Sequence, residues 1–241
     1  MIYLYSFIKD YHCDILTSSG KIIVDEAELG KLTPDLQNQV ERGISILREG
    51  GIVAYPTDTV YGLGACASLP QAVERIYEVK ERSRKMALPL LLADVLQIAE
   101  VAEPVPPIAW LLARKFLPGA LTIVLPKSCP VPEIITAGET TIAVRIPAHP
   151  VPIALVEGLG TPIVGTSANL SGRPSPLTAD EVYSQLGDKI DLIINGGRCQ
   201  GGRESTIIDV TGEIPVVLRE GAISREELEQ VCGSIAIKKE D

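Results

Sequence analysis

Short apolar runs alternate along this chain with segments in which apolar residues recur every three or four positions. Residues 52–55, 120–125 and 140–146 are mostly apolar and rich in β-branched side chains, which predicts buried strands. Residues 33–51 carry apolar side chains at helical spacing, begin with Thr-Pro and end with Gly-Gly, which predicts a capped helix. This alternation predicts an α/β fold in which helices cover a largely buried sheet.

The same patterns predict seven or eight strands interleaved with helices. Ser68 and Gln71 have the spacing of a capping box for the second helix. No linker or repeat divides residues 31–235, which predicts a single domain with a mixed, twisted sheet. Residues 1–30 have no clear period and are predicted to be an N-terminal extension of unknown role. Further strands are expected at 88–92, 162–165, 190–194, 205–210 and 216–219, and further helices at 94–102, 106–116, 150–158 and 179–186 and from Ser224.

Composition and charge narrow the class of protein. Of the 241 residues, 46% are hydrophobic but only 4% are aromatic, so the core is expected to consist mainly of Ile, Val, Leu and Ala. The net charge of −9 argues against a dedicated nucleic-acid binder, because phosphate contacts need clustered Lys and Arg. A local basic groove remains compatible with this balance.

Cysteine and histidine are too sparse for several kinds of site. The five cysteines form no Cys-x-x-Cys pair and there are only two histidines, which disfavours a disulfide framework, a metal site and a Ser-His-Asp triad. The N-terminus lacks the features of a signal peptide, and no apolar run reaches the ~20 residues of a membrane span. We therefore expect a cytoplasmic protein without a protein-bound metal and without a membrane partner.

A polar stretch follows the first predicted strand. Residues 56–64 read Pro-Thr-Asp-Thr-Val-Tyr-Gly-Leu-Gly. Hydroxyls and a carboxylate at a strand end are typical of a ligand-binding loop in an α/β sheet. Thr, Asp and Gly are also common turn residues, so the stretch alone supports a simple strand-exit turn equally well.

Three further clusters place cations, hydroxyls and amides at the ends of predicted elements. A basic run begins at Lys80. One interpretation is a solvated helix end, because cations favour the C-terminus of a helix. The other interpretation is that Lys80 and Arg82, two residues apart in an extended segment, bind an anion together. Arg145 lies between apolar neighbours in a strand, where it must meet a carboxylate of the protein or an anionic ligand. Ser167 and Asn169 follow a buried strand and suit either turn capping or donation to phosphate oxygens.

Residues 204–206 and 218–221 are two more polar clusters, each at one end of an apolar strand. None of these clusters contains a histidine, and none contains a cysteine. Such a set favours polyanion binding and catalysis by positioning and electrostatic stabilisation over covalent catalysis.

Seven motifs follow one another in order between about residues 37 and 225. They are the stretch at 56–64, Lys-Glu-Arg at 80–82, Leu-Thr-Ile-Val-Leu at 121–125, Val-Arg-Ile-Pro at 144–147, Ser-Ala-Asn-Leu-Ser-Gly at 167–172, Ser-Thr-Ile-Ile-Asp at 205–209 and Leu-Arg-Glu-Gly-Ala-Ile at 218–223. This ordered set resembles the YrdC family, the threonylcarbamoyl-AMP synthases of tRNA modification. Each motif alone is weak, whereas their order is highly specific.

The resemblance implies an open, twisted α/β sheet with a large concave cavity. It also implies a nucleotidyltransferase, an L-threonylcarbamoyladenylate synthase, that converts L-threonine, bicarbonate and ATP into threonylcarbamoyl-AMP and pyrophosphate, with Mg²⁺ as the expected metal ion. A tRNA threonylcarbamoyl transferase complex would then modify the adenosine next to the anticodon. A weak contact with tRNA or double-stranded RNA is a further expectation.

Matched motif by motif, the resemblance implies roles for ten residues. Lys80 and Arg82 would be catalytic and would hold the triphosphate and bicarbonate. Thr59, Arg145 and Ser205 would contact threonine, and Lys80, Arg82, Thr141, Ser167, Asn169, Ser175 and Arg219 would bind the nucleotide.

The chain departs from the family pattern at Ser83, where the family usually has proline. It ends at Asp241, so it resembles the short form of the family rather than the form with an extra C-terminal domain. The alternative function is a non-catalytic YrdC-like protein that binds double-stranded RNA or nucleotide, favoured by the basic run and opposed by the net charge. A carbamoyl-AMP-forming enzyme of metallocentre maturation ranks lower, because the chain has neither the acylphosphatase nor the zinc-finger segment of that class.

Overall fold

A ten-stranded sheet lies at the centre of residues 31–237, the part of the chain that the computed structural model describes. The predicted extension, residues 1–30, lies outside the described residues. The strands are β1 (Val53–Tyr55), β2 (Gly62–Cys66), β3 (Leu90–Leu91), β4 (Leu121–Pro126), β5 (Thr141–Arg145), β6 (Ile163–Ser167), β7 (Leu192–Ile193), β8 (Thr206–Asp209), β9 (Val216–Arg219) and β10 (Ala236–Ile237).

Helices connect most of these strands. None of the helices within residues 31–237 is long and apolar enough to cross a membrane. The α-helices are α1 (Pro34–Arg48), α2 (Pro70–Lys80), α3 (Ile98–Val101), α4 (Pro107–Phe116), α5 (Glu133–Thr136), α6 (Pro150–Leu159), α7 (Ala179–Leu186) and α8 (Arg225–Cys232), and two short 3₁₀ helices span Val95–Gln97 and Gly187–Lys189.

The sheet is open and mixed. Its strand order is β10-β9-β8-β4-β5-β3-β6-β2-β1-β7. The pairs β1–β7, β3–β5, β4–β8 and β9–β10 are parallel, and the other five neighbouring pairs are antiparallel. The predicted α/β class, with a mixed open sheet and flanking helices, is therefore confirmed.

The first helix forms where the sequence predicts it. The Thr33 hydroxyl accepts a hydrogen bond from Leu36 N at 3.3 Å, Pro34 is the first helical residue, and Gly50 follows the helix with a φ of +81°. The helix packs against α6, and the two helices share a core cluster with residues of β1 and β6. Tyr55 of β1 belongs to this cluster, which brings the packed core to the edge of the open sheet face described below.

The predicted number of seven or eight strands was wrong, because β2 and β10 were not recognised. β2 begins inside the polar stretch 56–64 and pairs with both β1 and β6. Its glycines were interpreted as a loop, but here they make room for an aromatic ring. A Cβ atom on Gly62 would lie 2.5 Å from Tyr55 Cε2, and one on Gly64 would lie 2.9 Å from the Tyr55 hydroxyl oxygen.

The predicted capping box at the start of α2 was also wrong. The residue that caps α2 is Leu69, which provides no side-chain hydrogen bond. Pro70 is the first helical residue, and proline favours that position because its φ is already helical and its missing N–H is not needed there. The Ser68 hydroxyl instead lies 3.0 Å from Cys66 Sγ.

We expect Gly62→Ala to lower the free energy of unfolding by about 1–3 kcal/mol, the usual cost of adding volume to a packed site. The new methyl group would force either the Tyr55 ring or β2 to move. Urea unfolding followed by circular dichroism would measure the change. Gly212→Ala is the matched control, because the nearest atom to its added Cβ lies 3.9 Å away. Equal stability of the two variants would show that the ring is free to move.

Candidate functional site

A cavity of about 660 Å³ opens on one face of the sheet. This volume is within the range of small-molecule binding sites. Because side chains alternate along a strand, every second residue of several neighbouring strands faces the cavity. The residues that follow this alternation are Gly62 of β2, Leu91 of β3, Thr122 and Val124 of β4, Ala143 and Arg145 of β5, Gly165 and Ser167 of β6, and Ile207 of β8. Thr166 of β6 and both Leu218 and Arg219 of β9 also line the cavity.

Most of the site residues predicted from the sequence meet at this cavity. Thr141 is not in the lining, although it lies on the same face of β5 as Ala143 and Arg145. Ser175 is not in the lining either. It donates a hydrogen bond to the side chain of Glu204, which does line the cavity. The predicted residues in the lining are Thr59, Lys80, Arg82, Arg145, Ser167, Asn169, Ser205 and Arg219.

The Lys80 ammonium group is buried at the end of α2. Its Nζ donates to Ser167 O at 2.5 Å, to Asn169 O at 2.7 Å and to Asn169 Oδ1 at 3.1 Å. An ammonium group has three N–H donors, so all three have an acceptor here. The residue is only 1% exposed, and a solvated helix end is therefore the wrong interpretation for Lys80.

Lys80 and Arg82 reach the same cavity by a tight turn and not by the extended segment that we expected. Lys80 is the last residue of α2, and Glu81 has a left-handed backbone with a φ of +52°. The chain reverses there, and both cationic side chains line the cavity. Arg82 Nη2 donates to Ala87 O at 3.0 Å, which ties it to the following loop.

Positive charge dominates the cavity although the whole chain is acidic. Lys80 and four arginines line it, and Glu204 is the one carboxylate among the described lining residues. Burial, and then the charge of Arg82, lower the pKa of Lys80 to about 7, while Glu204 opposes this shift. Burial also lowers the pKa of Arg82. The arginines are Arg82, Arg145, Arg173 and Arg219.

Arg145 pairs with a carboxylate of the protein, which is one of the two alternatives that the sequence left open. Nη2 donates to Asp58 Oδ1 at 2.6 Å, Nη1 donates to Thr59 Oγ1 at 3.0 Å, and Nε donates to Gly119 O at 2.9 Å. Burial lowers the pKa of Arg145, and Asp58 opposes the shift. Three of the five N–H groups of the guanidinium are used in this way, and the side chain still faces the cavity.

The polar stretch after β1 is both a turn and part of the cavity wall. Thr57 Oγ1 donates to Val60 O at 2.7 Å and accepts from Thr59 N at 3.0 Å, as in a structural turn. Thr57 and Thr59 nevertheless line the cavity, and their hydroxyl oxygens are 2.9 Å apart. The two interpretations of this stretch are therefore compatible.

Ser167 and Asn169 form a network at the end of β6. Ser167 Oγ donates to Asn169 Oδ1 at 2.5 Å, and Asn169 Nδ2 donates to Arg173 O at 2.5 Å. Lys80 donates to the same Asn169 oxygen. These contacts cap the turn and also orient two polar side chains towards the cavity.

The other side of the cavity is formed by residues before β8 and at the end of β9. Ser205 Oγ lies 2.8 Å from Thr122 Oγ1. Arg219 donates to Ser205 O from Nη2 at 2.9 Å and from Nε at 3.2 Å, and its Nη1 forms an ion pair with Glu204 Oε2. Ser175 Oγ donates to Glu204 Oε1 at 2.6 Å.

Sequence reasoning did not single out Arg173 or Glu204 as individual site residues. Arg173 directly follows the Ser-Ala-Asn-Leu-Ser-Gly motif, so its position beside a predicted anion-binding turn was an available signal. In the sequence, Glu204 stands out only as a member of the polar cluster 204–206. Its contacts with Ser175 and Arg219 depend on the approach of segments 29 and 15 residues away, which no local pattern indicates.

A glycine-rich loop, residues 195–203, supports the Thr57–Thr59 turn. Gly202 N donates to Thr59 O at 3.0 Å, and the Tyr61 hydroxyl donates to Gly197 O at 2.9 Å. A Cβ on Gly201 would lie 2.4 Å from Asp58 O and 2.9 Å from Thr59 Cα. Only glycine permits this approach of the two backbones.

We expect Lys80 to make stability rise with pH between about 7 and 10.5. Its pKa in the native protein, about 7, lies below the 10.5 of an unperturbed lysine. In that window the unfolded chain binds more protons than the native one, so the free energy of unfolding rises by at most about 1.4 kcal/mol per pH unit. Below pH 7 this contribution is constant. Urea unfolding of wild type and Lys80→Met from pH 6 to 9 would measure it.

The expected result is a smaller increase with pH for Lys80→Met than for wild type. Lys85→Met is the control, because Lys85 belongs to the same basic run but is exposed. Identical pH profiles for wild type and Lys80→Met would contradict a low pKa for Lys80.

Known proteins share this sequence and fold. The Sua5/YciO/YrdC family model, described as telomere recombination, matches residues 45–221. The threonylcarbamoyl-AMP synthase of Pyrococcus abyssi is 48% identical over 191 residues, which are 79% of this chain and 56% of that protein. The threonylcarbamoyl-AMP synthase of Bacillus subtilis is 43% identical over 202 residues, which are 83% of this chain and 58% of that protein.

A solved structure agrees with this relationship. The crystal structure of P. abyssi Sua5 complexed with L-threonine has a TM-score of 0.81 and 46% identity, over 83% of this chain and 58% of that one. The chain thus spans little more than half the length of the relatives named here. The family model covers more than half of the chain and spans all ten of the motif-matched residues, eight of which line the cavity. The chain therefore belongs to the Sua5/YciO/YrdC family.

Proposed function

We propose that this chain is a nucleotidyltransferase that forms L-threonylcarbamoyl-AMP from L-threonine, bicarbonate and ATP with release of pyrophosphate. The observation that carries the proposal is the meeting of eight predicted residues in one basic cavity. The relatives named above are called threonylcarbamoyl-AMP synthases, which supports the same product. The product would serve a transferase complex that modifies a tRNA adenosine next to the anticodon, in the cytoplasm.

The amino-acid substrate fits the part of the cavity around Thr59, Arg145 and Ser205. Arg145 has two N–H groups beyond those bound within the protein, which suit a carboxylate. Thr59 and Ser205 have hydroxyl groups, which can form hydrogen bonds with the small polar side chain of the substrate. A P. abyssi relative has been crystallised with L-threonine, which supports an amino acid as ligand.

The nucleotide fits the part of the cavity around Lys80, Arg82 and Arg219. These three cations line one cavity with Ser167 and Asn169. Arg82 and Arg219 keep N–H groups that can donate to phosphate oxygens. The three donors of Lys80 already bind Ser167 and Asn169, so Lys80 would act on phosphate through its charge. Ser175 would act from outside the lining, through its contact with Glu204. Thr141 would act at the rim of the same sheet face.

The chemistry needs positioning and charge stabilisation more than a protein nucleophile. The threonine amine forms a C–N bond with the carbon of bicarbonate, and water leaves. A carbamate oxygen then attacks the α-phosphorus, the α–β phosphoanhydride bond breaks, and pyrophosphate leaves with the bonding electrons. Lys80, Arg82 and Arg219 would stabilise the charge that develops on the phosphate oxygens. The described lining contains neither His nor Cys, in keeping with this mechanism.

The expected Mg²⁺ fits these residues only together with a nucleotide. Within residues 31–237 no three His, Cys, Asp or Glu side chains converge as a metal site. Mg²⁺ is commonly held by one or two carboxylates plus substrate phosphates, and Glu204 is a carboxylate of the lining. Glu204 already pairs with Arg219 and accepts from Ser175, so phosphate oxygens of the nucleotide would have to supply most of the ligands. The metal ion would offset phosphate charge.

A second candidate function is non-catalytic binding of double-stranded RNA or nucleotide. The exposed basic run after α2 favours it, but Arg84 of that run already pairs with Glu74. The net charge of −9 opposes strong RNA binding.

We expect the purified protein to release pyrophosphate from ATP in a threonine-dependent way when bicarbonate is present. Lys80→Ala should lower the rate by about 100-fold or more, because it removes a cation beside the developing charge. Lys85→Ala, in the same run but outside the lining, should retain the wild-type rate. A coupled pyrophosphate assay with and without L-threonine measures each rate.

A folded protein that binds ATP but shows no threonine-dependent release would favour the binding function. Titration with duplex RNA at several salt concentrations would then test it directly.

We also expect Gly201→Ala to weaken the use of L-threonine specifically. The added methyl group displaces the backbone of the Thr57–Thr59 turn, and small displacements of a positioning group are costly. The KM for L-threonine should rise about tenfold, while the KM for ATP should change little. Gly212→Ala is again the control. Equal changes in both KM values would indicate general loss of structure.

A further inference from the structure

The hydroxyl group of Tyr55 is buried without a hydrogen-bond partner. Within residues 31–237 it is the one buried side-chain nitrogen or oxygen atom of which this is true. Buried tyrosine hydroxyls usually find a partner, because an unpaired polar group lowers stability. Two other buried tyrosines follow this rule: the Tyr61 hydroxyl donates to Gly197 O at 2.9 Å, and the Tyr77 hydroxyl donates to Ile134 O at 3.0 Å. The hydroxyl of Tyr55 therefore requires an explanation.

The Tyr55 side chain lies where the packed core meets the cavity. It is 0% exposed, its ring crosses β2 over Gly62 and Gly64, and it belongs to the cavity lining. On the neighbouring strand, Leu91 covers Gly165 in the same way, because a Cβ on Gly165 would lie 2.5 Å from Leu91 Cγ. Both residues also belong to the lining. We call Tyr55, Gly62, Leu91 and Gly165 the floor of the cavity.

The side chains of this floor are apolar apart from the one hydroxyl group. Burial raises the pKa of Tyr55, and the charge of Arg145 opposes this shift, so the hydroxyl keeps its proton at neutral pH. A phosphate or carboxylate placed against an apolar floor would lose much of its solvation without an equal return. A neutral hydroxyl of a ligand loses far less, and it can donate to the Tyr55 oxygen or accept from it. The floor therefore fits a small, neutral, polar group.

The floor adjoins the part of the cavity that suits an amino acid. Tyr55 and Arg145 are close enough for each to affect the pKa of the other. The side chain of an amino acid is attached to the same carbon as its carboxylate, so a ligand whose carboxylate binds Arg145 has its side chain near the floor. The hydroxyls of Thr59 and Ser205 already have partners within the protein, whereas that of Tyr55 has none.

We propose that Tyr55 determines the specificity for the amino acid, because its hydroxyl binds the β-hydroxyl group of the substrate side chain. The floor is closed over this hydroxyl in the empty cavity, and the substrate reaches it by displacing the side chain of Leu91. A substrate without a β-hydroxyl leaves the Tyr55 hydroxyl unpaired and gains less on binding. The proposal rests on the amino-acid site of the proposed function and adds a residue to which motif matching gave no role.

Calorimetric titration with L-threonine, L-valine and L-serine, without nucleotide, tests this role through binding alone. L-Valine has a methyl group in place of the hydroxyl of L-threonine, and Tyr55→Phe removes only the hydroxyl of the tyrosine. The preference for L-threonine over L-valine should fall about tenfold from wild type to Tyr55→Phe, because the paired interaction is lost. The preference for L-threonine over L-serine should not change, because L-serine keeps the hydroxyl and lacks only the methyl group.

Thermal unfolding of the ligand-free protein gives a second readout. Tyr55→Phe removes an unpaired buried polar group, so its Tm should rise by about 2–4 °C. Tyr77→Phe is the matched control, because the Tyr77 hydroxyl lies within hydrogen-bond distance of Met86 O and Ile134 O and the residue is outside the lining. Tyr77→Phe should lower the Tm and retain the wild-type preference for L-threonine over L-valine.

An unchanged preference for L-threonine over L-valine in Tyr55→Phe would overturn the proposal, whereas the amino-acid site itself would stand. Equal weakening of both ligands has the same meaning, because Tyr55 would then serve only to shape the floor. A Tm of Tyr55→Phe that does not rise would also overturn it, since the hydroxyl would then have a partner within the protein. Wild-type protein that binds none of the three amino acids would overturn this inference and the proposed function together.

Discussion

A buried ammonium group holds two parts of the cavity wall together. Lys80 ends α2, and its three donors bind oxygens of Ser167 and Asn169 at the end of β6, 87 and 89 residues away. A buried charge without such partners is costly, so α2 and the turn after β6 must keep their relative positions. The same contacts orient Ser167 and Asn169, which then face the cavity beside Arg82.

The arginines of the cavity are also oriented by contacts within the protein. Arg145 is held by Asp58, Thr59 and Gly119, and Arg219 is held by residues 204 and 205. Side chains that are ordered beforehand lose little conformational freedom when an anion binds. A reaction that develops charge on phosphate oxygens benefits from such preorganised donors, because no reorganisation is needed at that moment.

Glycines at this site let an aromatic ring in one place and a loop backbone in another approach the main chain closely. Gly62 and Gly64 leave space for the ring of Tyr55, which joins the packed core to the cavity wall. Gly201 lets one loop touch the backbone of the Thr57–Thr59 turn. In both places a Cβ atom would meet neighbouring atoms well inside van der Waals distance, so the shape of the cavity depends on the missing side chains.

The sequence by itself determined the α/β class, the position of α1 and most strands, because each depends on a local period, cap or turn. It also marked the polar residues at strand ends, but not where they meet. β5 and β6 run in opposite directions, so Arg145 and Ser167 end at opposite edges and share the cavity across the face of the sheet. Only the tertiary structure decided that residues 62–66 form a strand, since their glycines resemble a loop until Tyr55 packs over them. The partners of Glu204 were likewise decided by packing, because its contacts with Ser175 and Arg219 join distant segments and leave no periodic signal in the sequence.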